Sequence, residues 1–379
     1  MGNVILFIIG TRPEAIKLVP LILDLKKTNL FEIRVCTSGQ HTEMLAQVLD
    51  LFAIEVNHSF IIRRKKHTLS EISEEILANV DPLICQLSPR YVVVHGDTST
   101  TFASALAAFY NQCEVIHIEA GLRTGNKYSP WPEEINRRLT AVLTTLHFAP
   151  TELAKENLKS EGINRNSIYV VGNTVIDTLL LAREKITQEN ALNLSIRSQL
   201  ADIDFDKKII LITAHRRENH GNGILNICKA IRKLSQHYSD VEFVFPVHLN
   251  PIIRTTVEQT LSELSNVHLL MPQTYINFVY LMMNAHIILT DSGGIQEEAP
   301  SLGCPVLLMR DTTERPEAVA AGTVKLVGSS EQSIYENVVR LINNKLEYQQ
   351  MAAKNNPYGD GAASKKIVHI LKEINHAKK

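Results

Sequence analysis

Short apolar runs alternate along the whole chain with longer stretches whose apolar residues recur at helical spacing, the pattern of βα units that build a parallel sheet covered on both faces. In the first half, Val4–Ile9, Ile33–Thr37, Tyr91–Val94, Val115–Ile118 and Ile168–Val171 predict strands. The second half repeats the arrangement with Lys208–Thr213, Val241–Pro246, Val267–Leu270, Ile287–Thr290, Pro305–Leu308 and Thr323–Val327. Between the two sets, Gly172 to Phe205 is polar and helix-compatible with little strand character, which sets a domain boundary near Val171. The segment Gly361 to Lys379 reads as a helix expected to cross back to the first domain. The expected fold is therefore α/β, with two doubly wound domains, residues 1–171 plus 358–379 and residues 172–357, and a cleft between them. With 379 residues, two cores of ordinary size can form.

Composition narrows the partners. A net charge of −1 gives no electrostatic footprint for nucleic acid, and the one basic run, Arg63-Arg64-Lys65-Lys66, reads as a solvated loop. The five cysteines are scattered with no CxxC pair, which argues against a zinc site or a disulfide framework and for a reducing compartment. Val4–Ile9 is too short to span a bilayer and lacks a basic leader and a cleavage site. A cytoplasmic protein without membrane or metal partners is expected.

Candidate chemistry gathers at the carboxyl ends of the predicted strands, where open α/β sheets bind ligands. The first strand enters Gly10-Thr11-Arg12-Pro13-Glu14-Ala15-Ile16-Lys17, where Thr11 and Glu14 have capping-box spacing and Pro13 suits a first helical turn. The amides of that turn, with Arg12 and Lys17, predict an anion site. Asp97, in His95-Gly96-Asp97-Thr98-Ser99-Thr100, reads either as a helix N-cap or as a functional acid. Glu119 ends an otherwise apolar strand, and a buried carboxylate there needs a partner or a task. In Tyr128-Ser129-Pro130-Trp131-Pro132-Glu133 the two prolines predict an extended loop, and Glu133, Asn136 and Arg137 share one face of the following helix. In the second half His215 follows a strand beside Arg216, Arg217 and Glu218, a phosphate-facing or proton-handling group. The sharpest local signal is Asp291-Ser292-Gly293-Gly294, a Gly turn opening a helix, where a diphosphate fits, with Glu298 one turn on for ribose hydroxyls. Arg310 and Arg315 follow another strand as a second cationic arm.

Taken together, Gly10–Lys17, His95–Ser99, Glu119–Thr124, Ser129–Arg137, His215–Asn219, Asp291–Glu298 and Asp311–Glu317 resemble the non-hydrolysing UDP-N-acetylglucosamine 2-epimerases, in order and over essentially the whole chain. The resemblance implies two Rossmann-like domains of the glycosyltransferase-B kind. It implies a UDP-sugar substrate with UDP mainly on the second domain: Ser292, Gly293 and Gly294 at the phosphates, Glu298 at the ribose, Gln273 and Phe278 near the uracil, Arg12 and Arg315 adding charge. It makes Asp97, Glu119, Glu133 and His215 the catalytic set, with Lys17 a further site residue and no cofactor or metal. A homodimer and a regulatory UDP-N-acetylglucosamine site at Gln40 and His41 are also implied. Two positions depart from the family pattern: Ala214 stands where a glycine is expected before His215, and Glu43 where an amide is expected. The alternatives are a hydrolysing epimerase releasing N-acetylmannosamine and UDP, a glycosyltransferase of the same fold, and a silent nucleotide-sugar sensor.

Overall fold

The computed structural model describes residues 3–39, 42–62 and 68–377, so Gln40, His41 and the run from Arg63 to Lys66 lie outside the described residues. The chain divides into two compact units, Met1–Thr178 with Tyr358–Lys379, and Leu179–Pro357.

The first unit begins β1 (Val4–Ile9), α1 (Arg12–Lys26), β2 (Glu32–Thr37), α2 (Thr42–Leu51), β3 (His58–Ser59), α3 (Leu69–Leu87) and β4 (Tyr91–His95). It continues with α4 (Ser99–Tyr110), β5 (Glu114–Ile118), α5 (Glu133–Leu143), β6 (Leu146–Ala149), α6 (Glu152–Ser160) and β7 (Ile168–Val170). The strands form one parallel sheet in the order β3-β2-β1-β4-β5-β6-β7. The division between units falls inside α7 (Thr174–Gln188), beyond the boundary expected near Val171.

The second unit continues with α8 (Asn190–Gln199), β8 (Lys208–Thr213), α9 (Asn222–His237), β9 (Val241–Pro246), α10 (Pro251–Leu261) and β10 (Val267–Leu270). Then come α11 (Tyr275–Asn284), β11 (Ala285–Thr290), α12 (Gly293–Glu298), β12 (Val306–Leu308), α13 (Pro316–Ala321) and β13 (Val324–Leu326). Helices α14 (Glu331–Asn343) and α15 (Lys345–Ala352) close it, and α16 (Ala363–Ala377) belongs to the first unit, where it packs on α1. The sheet is parallel in the order β10-β9-β8-β11-β12-β13.

Each sheet reverses its strand order beside its first strand, between β1 and β4 and between β8 and β11, and such reversals open the crevices in which doubly wound folds hold ligands. Central strands are apolar throughout because helices cover both faces: Ile5 to Ile9 and Ile209 to Ile212 are buried. The covering helices are amphipathic instead. In α9, Ile224, Ile227, Cys228, Ile231 and Leu234 recur every three or four residues and are all buried.

Two strands were not predicted. β3 has only two residues, too few to carry a pattern. In β6 the apolar run Leu146–Ala149 is interrupted by His147, a buried imidazole whose Nε2 meets the carbonyl of Ala141 at 3.0 Å. The extended loop expected at Ser129–Pro132 is instead a run of turns in which Ser129–Pro130 and Trp131–Pro132 are both cis. Among the described residues no helix is long and apolar enough to cross a membrane.

The N-terminus of α16 is capped from a distance. Asp177, on α7, accepts from the amides of Ala363 (3.2 Å) and Ser364 (2.8 Å) and from the Ser364 hydroxyl (2.7 Å), all within the first unit. Asp177→Ala strips these acceptors from buried donors and is expected to cost roughly 1–3 kcal/mol. Urea unfolding checks this: a midpoint equal to the parent's would show that the cap contributes nothing.

Candidate active site

In the first unit the exits of β1, β4 and β5 converge on a set of buried polar groups. Gly10 follows β1 in a place too tight for a side chain, since a Cβ there would lie 2.3 Å from Thr100 Oγ1. Glu14 reaches back over the start of α1 and accepts from the amides of Gly10 (2.8 Å) and Thr11 (2.6 Å) and from the hydroxyls of Thr98 (2.7 Å) and Thr101 (3.1 Å). The chain's own carboxylate thus takes the amides of the two residues that precede α1. Burial still pushes Glu14's pKa up against them. Arg12 is half-buried at the first position of α1.

Glu119 follows β5 with φ of +63°, the left-handed region that a residue with a side chain enters only when its surroundings hold it there. What holds it is an ion pair with Lys17, one turn into α1, and a 2.7 Å hydrogen bond from Asn173 Nδ2. His95 Nε2 lies 3.8 Å from the same carboxylate oxygen and, among the described residues, has no hydrogen-bond partner. Burial pushes the His95 pKa down to about 4, against the pull of Glu119, so the ring is neutral.

Asp97 is not the N-cap that its position allows. Thr98 is, accepting from the Thr101 amide at 3.1 Å. The Asp97 carboxylate is paired with Arg137 of α5, and Asn136 Nδ2 donates to the Asp97 carbonyl at 3.0 Å. Burial raises the Asp97 pKa, Arg137 opposes it and the Glu119 charge adds to it. Of the α5 trio, Asn136 and Arg137 therefore converge on Asp97; Glu133 is half-buried in the first turn with no ion pair or hydrogen bond among the described residues. Lys17, Asp97 and Glu119 form one group, which can pair a carboxyl pushed toward its neutral form with a carboxylate facing an ammonium, the contrast needed for acid and base work.

In the second unit the exits of β8 and β11 meet. Asp291, fully buried, accepts from the amides of His215 and Arg216, both at 2.9 Å, and from Asn219 Nδ2 at 3.0 Å. His215 Nδ1 lies 3.2 Å from its other oxygen, and the ring stacks on His248 with centroids 6.0 Å apart. Ser292 precedes α12 in extended conformation, and its hydroxyl makes no cap bond. Gly293 lies close under the end of the Arg315 side chain: a Cβ there would fall 2.4 Å from Arg315 Nη1. Arg315 is held in place by Glu297 and Glu314. Glu314 also meets Arg216 and Arg310, and despite burial its pKa is held down at about 2 by Arg315, Arg310 and Arg216. Glu298 accepts from the Tyr275 hydroxyl at 3.2 Å. Gln273 donates to the Met271 carbonyl at 2.7 Å, and Phe278 is half-buried on α11.

Sequence reasoning left His95, Asn173, Asp291, Glu314 and Tyr275 without roles. Asp291 and His95 stand beside residues that were singled out, at the same strand ends, and position alone could have nominated them. Nothing local marks Asn173 as the partner of Glu119. Among the described residues no group of three or more His, Cys, Asp or Glu side chains could hold a metal ion.

The chain matches the family model described as UDP-N-acetylglucosamine 2-epimerase over residues 23–372. It is 54% identical over 367 residues to the UDP-N-acetylglucosamine 2-epimerase of Neisseria meningitidis serogroup A, covering 97% of this chain and 98% of that one. It is 50% identical to that of Escherichia coli O157:H7, with the same coverage. The crystal structure of the Neisseria meningitidis UDP-GlcNAc 2-epimerase bound to UDP-GlcNAc superposes with a TM-score of 0.92 at 53% identity, covering 98% of this chain and 100% of that one.

The buried histidines make stability depend on pH. His95 and His117 have pKa values pushed down from 6.5 to about 4 and about 3, chiefly by burial. Between pH 6.5 and 4 the unfolded chain therefore binds more protons at these sites than the folded one, and they remove stability as the pH falls. The raised carboxyls of Glu14 and Asp97 act with the opposite sign, so the comparison is with a variant. His117→Gln is expected to flatten the fall in urea midpoint across that window; an unchanged slope would refute the assignment.

Proposed function

The chain belongs to the UDP-N-acetylglucosamine 2-epimerase family, and from that premise we propose that it inverts C2 of the sugar while UDP is retained, interconverting UDP-N-acetylglucosamine and UDP-N-acetylmannosamine. The observation that carries this reading beyond relatedness is the strained Glu119, set between Lys17 and Asn173 and within electrostatic reach of Asp97.

The hydrogen on C2 is barely acidic because no carbonyl adjoins that carbon, and direct deprotonation is hard. Elimination solves the problem. One group takes the C2 proton as the C1–O bond to UDP breaks, the electron pair leaves with the diphosphate, and a C1=C2 double bond forms. Re-addition of UDP at C1 with a proton delivered to the other face of C2 completes the inversion. Asp97, Glu119 and Glu133 share the proton work, and Lys17 holds Glu119 ready. His215 and the neighbouring arginines stabilise the departing diphosphate. Ser292 and the Gly293 and Gly294 backbone bind the phosphates, Glu298 the ribose, and Gln273 and Phe278 the uracil. Arg315 lends positive charge from behind Gly293, and Arg12 adds charge from the first unit. No metal or cofactor takes part in this scheme. The enzyme acts in the cytoplasm on this reading, in keeping with five unpaired cysteines.

Incubation with UDP-N-acetylglucosamine in deuterated water, followed by NMR, tests the reading: deuterium at C2 in both intact UDP-sugars is expected, whereas free sugar plus UDP would identify the hydrolysing reaction. Asp97→Asn, Glu119→Gln and Glu133→Gln should each lower kcat roughly 10²- to 10⁴-fold with UDP affinity nearly unchanged. A second, regulatory UDP-N-acetylglucosamine site at Gln40 and His41 belongs to the same proposal; in that assay, linear progress from UDP-N-acetylmannosamine alone would exclude it.

The first unit also exposes apolar side chains on two neighbouring helices, Phe109 and Tyr110 of α4 and Leu139 and Val142 of α5, with Val142 76% exposed. Such a patch fits a homodimer face. Light scattering should give twice the 42.5 kDa chain mass, falling to one chain in Val142→Glu; a monomeric parent would overturn the assignment.

A further inference from the structure

Asp291 is fully buried just beyond β11, and its two oxygens have different duties. Oδ2 accepts from three donors: the His215 amide (2.9 Å), the Arg216 amide (2.9 Å) and Asn219 Nδ2 (3.0 Å). Oδ1 faces His215 Nδ1 at 3.2 Å and takes a longer bond, 3.1 Å, from the His215 amide. Burial alone would raise its pKa, but His215, the Arg216 amide and Asn219 outweigh that, and the group stays ionised. An ionised carboxylate can only accept, so the proton between it and the ring belongs to Nδ1.

We infer that Asp291 is a positioning residue that fixes His215 as its Nδ1–H tautomer, so that a proton bound at Nε2 is the one the ring presents to the departing diphosphate. His248 stacks on one face with an interplanar angle of 21°, and 39% of the His215 side chain remains exposed. The inference rests on His215 acting in the proposed reaction, but the tautomer is a property of the protein without substrate.

The substitution Asp291→Asn separates the two oxygens. The single oxygen of an amide stays where three donors converge, which leaves the NH₂ at the Oδ1 position, facing His215 Nδ1. That NH₂ donates to Nδ1, so the ring must carry its proton on Nε2, the reverse of the parent. The loop keeps its three principal bonds, so the change falls on the proton's location.

The experiment uses full-length protein labelled with ¹⁵N-histidine, with the His215 signals assigned by comparison with His215→Asn, together with steady-state kinetics and UDP binding. In the parent, the neutral His215 ring is expected to carry its proton on Nδ1; in Asp291→Asn, on Nε2. kcat should fall roughly 10²- to 10⁴-fold while KM and UDP affinity stay within about three-fold. A parent ring protonated on Nε2 overturns the inference whether or not the variant folds. So does a variant whose kcat stays within about three-fold of the parent's, or one that loses UDP affinity in step with kcat, which would make Asp291 a brace of the loop alone. Should the parent show no epimerisation, the proposed function fails, and the tautomer spectra still decide the role of Asp291.

Discussion

Carboxylates buried at the exits of parallel strands are the constraint on which both halves of this protein depend. An ion taken out of water costs several kcal/mol unless fixed donors replace the water, and Glu14, Glu119 and Asp291 are each met by such donors. Each carboxylate also draws donors from elements distant in sequence, so satisfying the charge fixes those elements to one another. Glu14 ties the β1 exit to the start of α4, Glu119 ties β5 to α1 and to Asn173, and Asp291 ties the β8 exit to the β11 exit. The places so fixed adjoin the strand-order reversals, where a doubly wound sheet opens.

The two units put the same device to different uses. In the first, Glu14 takes the amides just before α1, and side chains gather around Glu119: Lys17, His95 and Asp97 each lie within its electrostatic reach. In the second, Asp291 uses the amides that follow β8, while Ser292 keeps its hydroxyl out of the helix cap and the Gly pair keeps side chains off the turn. A surface of that kind suits a polyanion, with Arg315 behind the turn already oriented by Glu297 and Glu314.

Much of this was legible in the sequence, and the limits have physical causes. Strands buried on both faces announce themselves as unbroken apolar runs, and β1, β8, β9 and β10 begin and end where those runs do. β6 was hidden because a buried histidine bonded to a carbonyl looks polar in sequence yet behaves as core. Candidate acids were found because a charge at the end of an apolar strand is conspicuous. Their partners were not, since Glu119 meets Asn173, and Asp97 meets Arg137, across separations set by topology. At α1 the spacing of Thr11 and Glu14 correctly signalled a cap.

Glu119 shows why such a site is not optimised for stability alone. A glycine would relax the left-handed backbone, which for a residue with a side chain costs on the order of 1–3 kcal/mol, and it would release the donors of Lys17 and Asn173 from a buried ion. The strained conformation turns the carboxylate at the end of β5 toward Lys17, Asn173 and His95, and the ammonium and amide fix its direction once there. The favourable pairing thus offsets the backbone cost only while all three groups remain, so the conformation, the ion pair and the direction of the carboxylate are one property of the fold.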